Sequence, residues 1–143
     1  GETVDWIKKV EKAPLVMMCW SPRCPTSRKL NDAILEQLGT VDARVYALAC
    51  TYKDTDEDYA KFREVADFKF RIYDDREQKI TDVLGGKRTP HFMVIDNENK
   101  LRFRGGLDNT YKAPDVEEFW LTDAIKAVAA GKDVPKAETT GPG

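Results

Sequence analysis

The stretch CWSPRCPTSRKL, residues 19 to 30, places Cys24 directly before Pro25 at what reads as a helix start. Pro25 suits a first helical turn, where its missing N–H costs nothing. A cysteine just ahead of that turn faces unpaired N–H groups and the positive end of the helix dipole, both of which stabilise a thiolate. Arg23 adds positive charge if its side chain turns inward. Three positions after Cys24, where a Cys-x-x-Cys pair would hold its second sulfur, stands Ser27. A serine one turn away can donate a hydrogen bond to the thiolate, but it cannot displace sulfur from a mixed disulfide. The chemistry expected is that of one nucleophilic thiol whose second thiol lies elsewhere.

Other residues can be weighed against that site. Cys19 falls inside an apolar run and is expected to pack in the core. Cys50 closes a second apolar run, whose end should face the same edge as Cys24, and is a candidate resolving thiol. Trp20, at the end of the first run, is placed to shield the thiol. His91 is the only histidine. It directly follows Thr89-Pro90 and reads as the half-exposed start of a strand, with a base or ligand role near Cys24 as the alternative. A proline there cannot donate to a sheet ladder and suggests a tight turn, with a cis bond. Asp96 and Asp108 read as turn residues.

The elements that must position these groups follow from periodicity. TVDWIKKVEK (3–12) has Val4, Ile7 and Val10 at helical spacing. LVMMCW (15–20) is a strand buried on both faces, as in parallel sheets. The helix opened by Pro25 carries Leu30, Ala33, Ile34 and Leu38 and stops at Gly39. ARVYALAC (43–50) is a second apolar strand. DTDEDYAKFREVA (54–66) is a helix with an acidic first turn. FKFRIY (68–73) alternates as a short strand, and REQKITDVLGG (76–86) is a helix with a glycine stop. HFMVIDNENKLRFRGG (91–106) is a hairpin around Asn97-Glu98-Asn99. DVEEFWLTDAIKAVAAG (115–131) is a strongly amphipathic helix, and KDVPKAETTGPG (132–143) an extended tail. The expectation is an α/β fold, a mixed central sheet with helices on both faces, ending in a β-hairpin and a helix.

The chain has 143 residues, 41% hydrophobic and 34% charged, with a net charge of −2. That length suits one domain spanning 1–143, with an N-terminal helix in 1–13. The charges of both signs are interspersed, which argues against a nucleic-acid surface. No apolar run approaches the ~20 residues of a membrane span. Three cysteines form no disulfide framework.

A strand ending in an aromatic, then Cys-Pro at a helix start, then a distant Thr-Pro before a hairpin, resembles the thioredoxin fold. RTPHFMVIDNENKLRFRGGLDNTY is similar to thioredoxin-like redoxins of the alkyl-hydroperoxide-reductase and thiol-specific-antioxidant superfamily. The close LTDAIKAVAAGKDVPKAETTGPG resembles the end of those redoxins, and the likeness runs from Asp5 to Thr140. It implies Cys24 as nucleophile, Pro90 as the cis-proline, and Thr89 as the residue whose backbone pairs with an incoming thiol or peptide. Trp20, Arg23, Pro25 and His91 would then contact substrate. Ser27 departs from the dithiol motif. Ser21 fits the Thr/Ser place of the peroxiredoxin pattern, but Met17 stands where its proline should be, so peroxidase activity is poorly supported.

The function expected is a redoxin-like thiol oxidoreductase or thiol antioxidant, acting on a thiol- or disulfide-containing protein or small molecule. No cofactor or metal is expected. The second thiol would come from Cys50, from beyond Gly143, or from another protein. The resemblance, with Gly1 rather than Met at the start, implies an extracytoplasmic home after removal of a signal peptide. Two alternatives belong to other classes: a thioredoxin-fold protein that holds thiol partners without turnover, and a metal-handling protein using Cys19, Cys24 and His91.

Overall fold

The computed structural model describes residues 13–66, 68, 70–110 and 115–139. The helix expected over 3–12 and the end of the tail at 140–143 lie outside the described residues. Among the described residues five strands form one sheet, β1 (Leu15–Cys19), β2 (Arg44–Ala49), β3 (Arg71–Asp74), β4 (His91–Ile95) and β5 (Leu101–Gly105), in the order β3-β2-β1-β4-β5. β2 runs parallel to both β1 and β3, whereas β4 runs antiparallel to β1 and β5. The apolar run Leu15–Cys19 takes the central position, where a strand packs side chains on both faces of the sheet.

Alternation divides the apolar residues between two faces. Val16, Met18, Trp20, Ala47, Ala49, Phe92, Val94 and Phe103 meet three helices: α1 (Pro25–Leu38), α2 (Asp56–Val65) and the C-terminal helix Trp120–Ala129. Leu30, Ile34 and Leu38 of α1 recur at helical spacing on its buried side. The other face carries Cys19, Leu48, Cys50 and Met93, packed by Ile80 and Leu84 of α3 (Lys79–Leu84). The mixed sheet with helices on both faces is the architecture expected.

Element boundaries depart from the sequence pattern where side chains outside the element intervene. The Thr55 hydroxyl and the Asp58 carboxylate form a reciprocal capping box, so α2 starts at Asp56 and leaves Asp54 in the preceding loop. Phe68 and Phe70 do not belong to β3. They are buried beside Trp20 and Phe62, with Phe68 4.6 Å from the Trp20 ring. The carboxylate of Asp75 accepts from the N–H groups of Ile80 and Thr81, so the helix expected from Arg76 begins only at Lys79. The C-terminal helix, α4, begins at Trp120 rather than Asp115, because the Asn109 side-chain oxygen takes the N–H groups of Glu117 and Glu118. The extended tail docks on the edge of β5. Arg104 N–H donates to Ala137 O at 2.9 Å, and Thr139 N–H donates to Arg104 O at 3.1 Å. Covering an edge strand in this way removes a row of open backbone groups.

Candidate active site

β1 delivers the chain through Trp20 and Ser21 to Cys24, which is the residue preceding α1 and holds an extended backbone, φ −80° and ψ 119°. Its N–H donates to Ser21 O at 3.1 Å, and its carbonyl accepts from Arg28 N–H at 3.1 Å, the first bond of the helix. The site is therefore a turn locked at both ends. Cys24 remains partly exposed, and its S–H donates to the backbone carbonyl of Thr89 at 3.4 Å. Pro90 follows in a cis peptide bond with Thr89 and is buried. The two loops that the sequence pattern set apart by 65 residues thus meet at one sulfur.

Partial burial pushes the Cys24 thiol up, but hydrogen bonds outweigh it and the net direction is down. The thiolate accepts from the Thr89 side chain, from the N–H and hydroxyl of Ser27, and from the N–H of Thr26. This is the helix-terminus stabilisation expected of a nucleophilic cysteine. Ser27 is wholly buried, and its oxygen also accepts from Ser21 N–H at 3.4 Å. One hydroxyl thus ties the loop before the sulfur to the helix after it.

The remaining expected site residues divide. Pro25 occupies the first helical position and is exposed beside Cys24. Arg23 turns away, to the Asp58 carboxylate of α2 at 2.8 Å. The Thr55 N–H and then Arg23 hold that carboxyl at about 2. Arg23 therefore ties the active loop to α2 and does not face the thiol; an open groove beside it is lined by Pro22, Arg28, Asp58, Phe62 and Val65.

Three expectations are corrected. Trp20 has no exposed surface and cannot contact a substrate; its indole N–H donates to Ser27 O at 3.2 Å, and its ring stacks among Tyr59, Phe62 and Phe68 beneath the loop. It supports the active turn from below. His91 is buried rather than half exposed, and antiparallel pairing puts it opposite Cys19 on the α3 face. Its Nδ1 accepts from Lys87 N–H at 3.1 Å, while burial and then Arg88 push its pKa down, so the ring is a neutral acceptor bracing the 87–91 turn. Cys50 does not point toward Cys24. It packs beside Cys19 in the small cluster on the α3 face. The metal alternative also loses its ligand set: among the described residues no three His, Cys, Asp or Glu side chains converge as a metal site.

One group escaped the sequence pattern. Asp54, read as part of an acidic helix turn, is buried to 1% exposure in the loop after β2. Burial raises its pKa, the nearby Ser21 hydroxyl and Arg23 lower it, and Asp58 raises it. The approach to Ser21 is looser than a full hydrogen bond. The only signal available was its place at the carboxyl end of β2, on the edge where Cys24 lies.

No protein-family model and no curated protein matches the chain. Solved structures do. A hypothetical protein from Sinorhizobium meliloti 1021 superposes with a TM-score of 0.76 at 24% identity, covering 95% of this chain and 79% of that one. DsbF of MTB, solved in mixed oxidised and reduced forms, gives 0.63 at 15% identity over 85% of this chain and 84% of that one. A secreted Mycobacterium tuberculosis disulfide oxidoreductase homologous to E. coli DsbE gives 0.53 at 15% identity, over 66% and 69%. The sheet order, the helices on both faces and these superpositions together show that the chain has the thioredoxin-like fold.

Proposed function

We propose that this protein is a thiol-disulfide oxidoreductase with a single-thiol active site at Cys24. The observation that carries the reading is the half-buried Cys24 sulfur, held at the start of α1 by donors from Thr26, Ser27 and Thr89 that favour its thiolate. The Cys24 thiolate attacks one sulfur of a disulfide. A bond forms between the two sulfurs, the substrate's S–S bond breaks, and the other half leaves as a thiolate carrying the electron pair. Thr89, with its carbonyl 3.4 Å from the sulfur, offers the backbone against which an extended substrate would align.

The covalent adduct then waits for a second thiol. Ser27 cannot supply it, and Cys50 is engaged by Cys19, so the resolving thiol comes from outside the described site. Several structural neighbours are thiol-disulfide oxidoreductases by name, one of them secreted, which supports the activity and an extracytoplasmic location. Retention of thiol partners without turnover is the rival reading. Reduction of a protein disulfide, followed with and without added glutathione, separates the two. Turnover that requires glutathione and vanishes in Cys24→Ser supports the oxidoreductase; no turnover under either condition leaves a binding protein. Ser27→Cys, which places a second sulfur one turn from the first, is expected to reduce one equivalent of protein disulfide per chain without glutathione, releasing both substrate thiols and ending with its own two sulfurs joined.

A further inference from the structure

We propose that Cys19 and Cys50 form a second, internal dithiol centre on the α3 face of the sheet, which hydrogen peroxide closes to a disulfide without help from Cys24. Parallel pairing sets Cys19 opposite Leu48, so Cys50, two residues further along, projects to the same face one pleat on. Both sulfurs belong to one small cluster with Leu48 and Met93, walled by Met17, Ile80 and Leu84. The closeness of the Cys19 thiol is the main influence favouring a thiolate at Cys50. The same contact, with burial, holds the proton on Cys19. The two sulfurs thus favour opposite protonation states, thiol at Cys19 and thiolate at Cys50, the two roles that disulfide formation needs.

The surroundings enclose the pair closely. Cys50 lies one residue past the end of β2, where its carbonyl accepts from the Gln78 side-chain amide at 2.8 Å in place of a ladder partner. Gly86 faces the Cys19 sulfur; a Cβ there would sit 2.8 Å from it. The Thr81 hydroxyl lies 3.9 Å from the same sulfur. Cys19 is 1% exposed and Cys50 5%, so the opening at Cys50 admits only a small uncharged oxidant.

Hydrogen peroxide meets that description. The Cys50 thiolate attacks one peroxide oxygen, an S–O bond forms, the O–O bond breaks, and hydroxide leaves to become water on taking a proton. The Cys19 sulfur then attacks the Cys50 sulfenic sulfur; an S–S bond forms, the S–O bond breaks, and the hydroxyl departs as water with the Cys19 proton. Two electrons pass from the two thiols to the peroxide. None of these steps uses Cys24.

The test uses the full chain carrying Cys24→Ser, exposed to hydrogen peroxide and followed by intact mass and peptide mapping. The expected product has lost the mass of two hydrogens, contains a Cys19–Cys50 cross-linked peptide, and recovers both thiols on treatment with dithiothreitol. Adding Cys19→Ser should divert Cys50 to sulfinic acid instead. The unsubstituted chain with Cys24 blocked by iodoacetamide provides the same readout without any substitution. If both thiols remain alkylatable on unfolding, or Cys50 gains oxygen while Cys19 stays free in the Cys24→Ser chain, the proposal is overturned.

Discussion

Replacing Ser27 with alanine isolates the contribution of one hydroxyl to Cys24. In the native site that hydroxyl donates to the thiolate while its oxygen accepts from Ser21 N–H. A hydrogen bond to a charged group is worth about 1.5–3 kcal/mol, and the partial exposure of Cys24 favours the lower end. The thiolate fraction at neutral pH should therefore fall about tenfold, since 1.36 kcal/mol corresponds to one decade. The sign follows from the direction of the native shift. Hydrogen bonds lower the Cys24 pKa, so losing one raises it, and the deficit must shrink as pH rises past both values. The assay is the pH dependence of iodoacetamide alkylation at Cys24, with Cys19 and Cys50 changed to serine to remove competing thiols. A rate unchanged at neutral pH would refute the role given to Ser27. So would a deficit equally large at strongly alkaline pH, which would mean lost access rather than lost ionisation.

Three other perturbations follow from the same contacts. Asp54 has a folded-state pKa raised chiefly by burial, so its contribution to stability is present below its unfolded value of 3.8 and lost as pH rises through the folded one. Asp54→Asn should thus gain in urea midpoint relative to the unsubstituted protein at neutral pH, with the gap closing in acid. Trp20→Ala removes a fully buried ring stacked on Phe62 and Phe68 and should cost about 3–5 kcal/mol in urea unfolding. Gly105→Ala would place a Cβ 2.0 Å from Thr139 Oγ1, which now accepts from Gly106 N–H, and should release the tail. Faster amide hydrogen exchange at Arg104 and Thr139, with β4 unchanged, is the expected result.

What could be read without the fold was what depends on near neighbours in the chain. Cys24 before Pro25 and the glycine after Leu38 mark the ends of α1 locally, and the observed helix agrees. The apolar run of β4 and the alternation of β5 around Asp96, whose carboxylate takes the N–H groups of Glu98 and Lys100, are likewise local patterns. The errors arose where side chains outside an element set its ends. Asn109 delays α4, Asp75 delays α3, and the aromatic cluster under Trp20 captures Phe68 and Phe70 from β3. The site divides the same way. Cys24 and Ser27 were visible as one helical turn, whereas the partners of Arg23, His91 and Cys50 depend on which strand lies beside which. A run of acids looks solvated until the fold shows that Asp54 is enclosed and its neighbours are not.

The central claim is that Cys24 alone attacks a disulfide and then stalls. One equivalent of 5,5′-dithiobis(2-nitrobenzoate), added to the full chain at neutral pH and followed by intact mass and peptide mapping, tests it directly. The account predicts release of one thionitrobenzoate and a stable mixed disulfide on Cys24, which disappears only when an outside thiol is added. A label settling on Cys19 or Cys50, or an adduct on Cys24 that resolves unaided within the same chain, would contradict it.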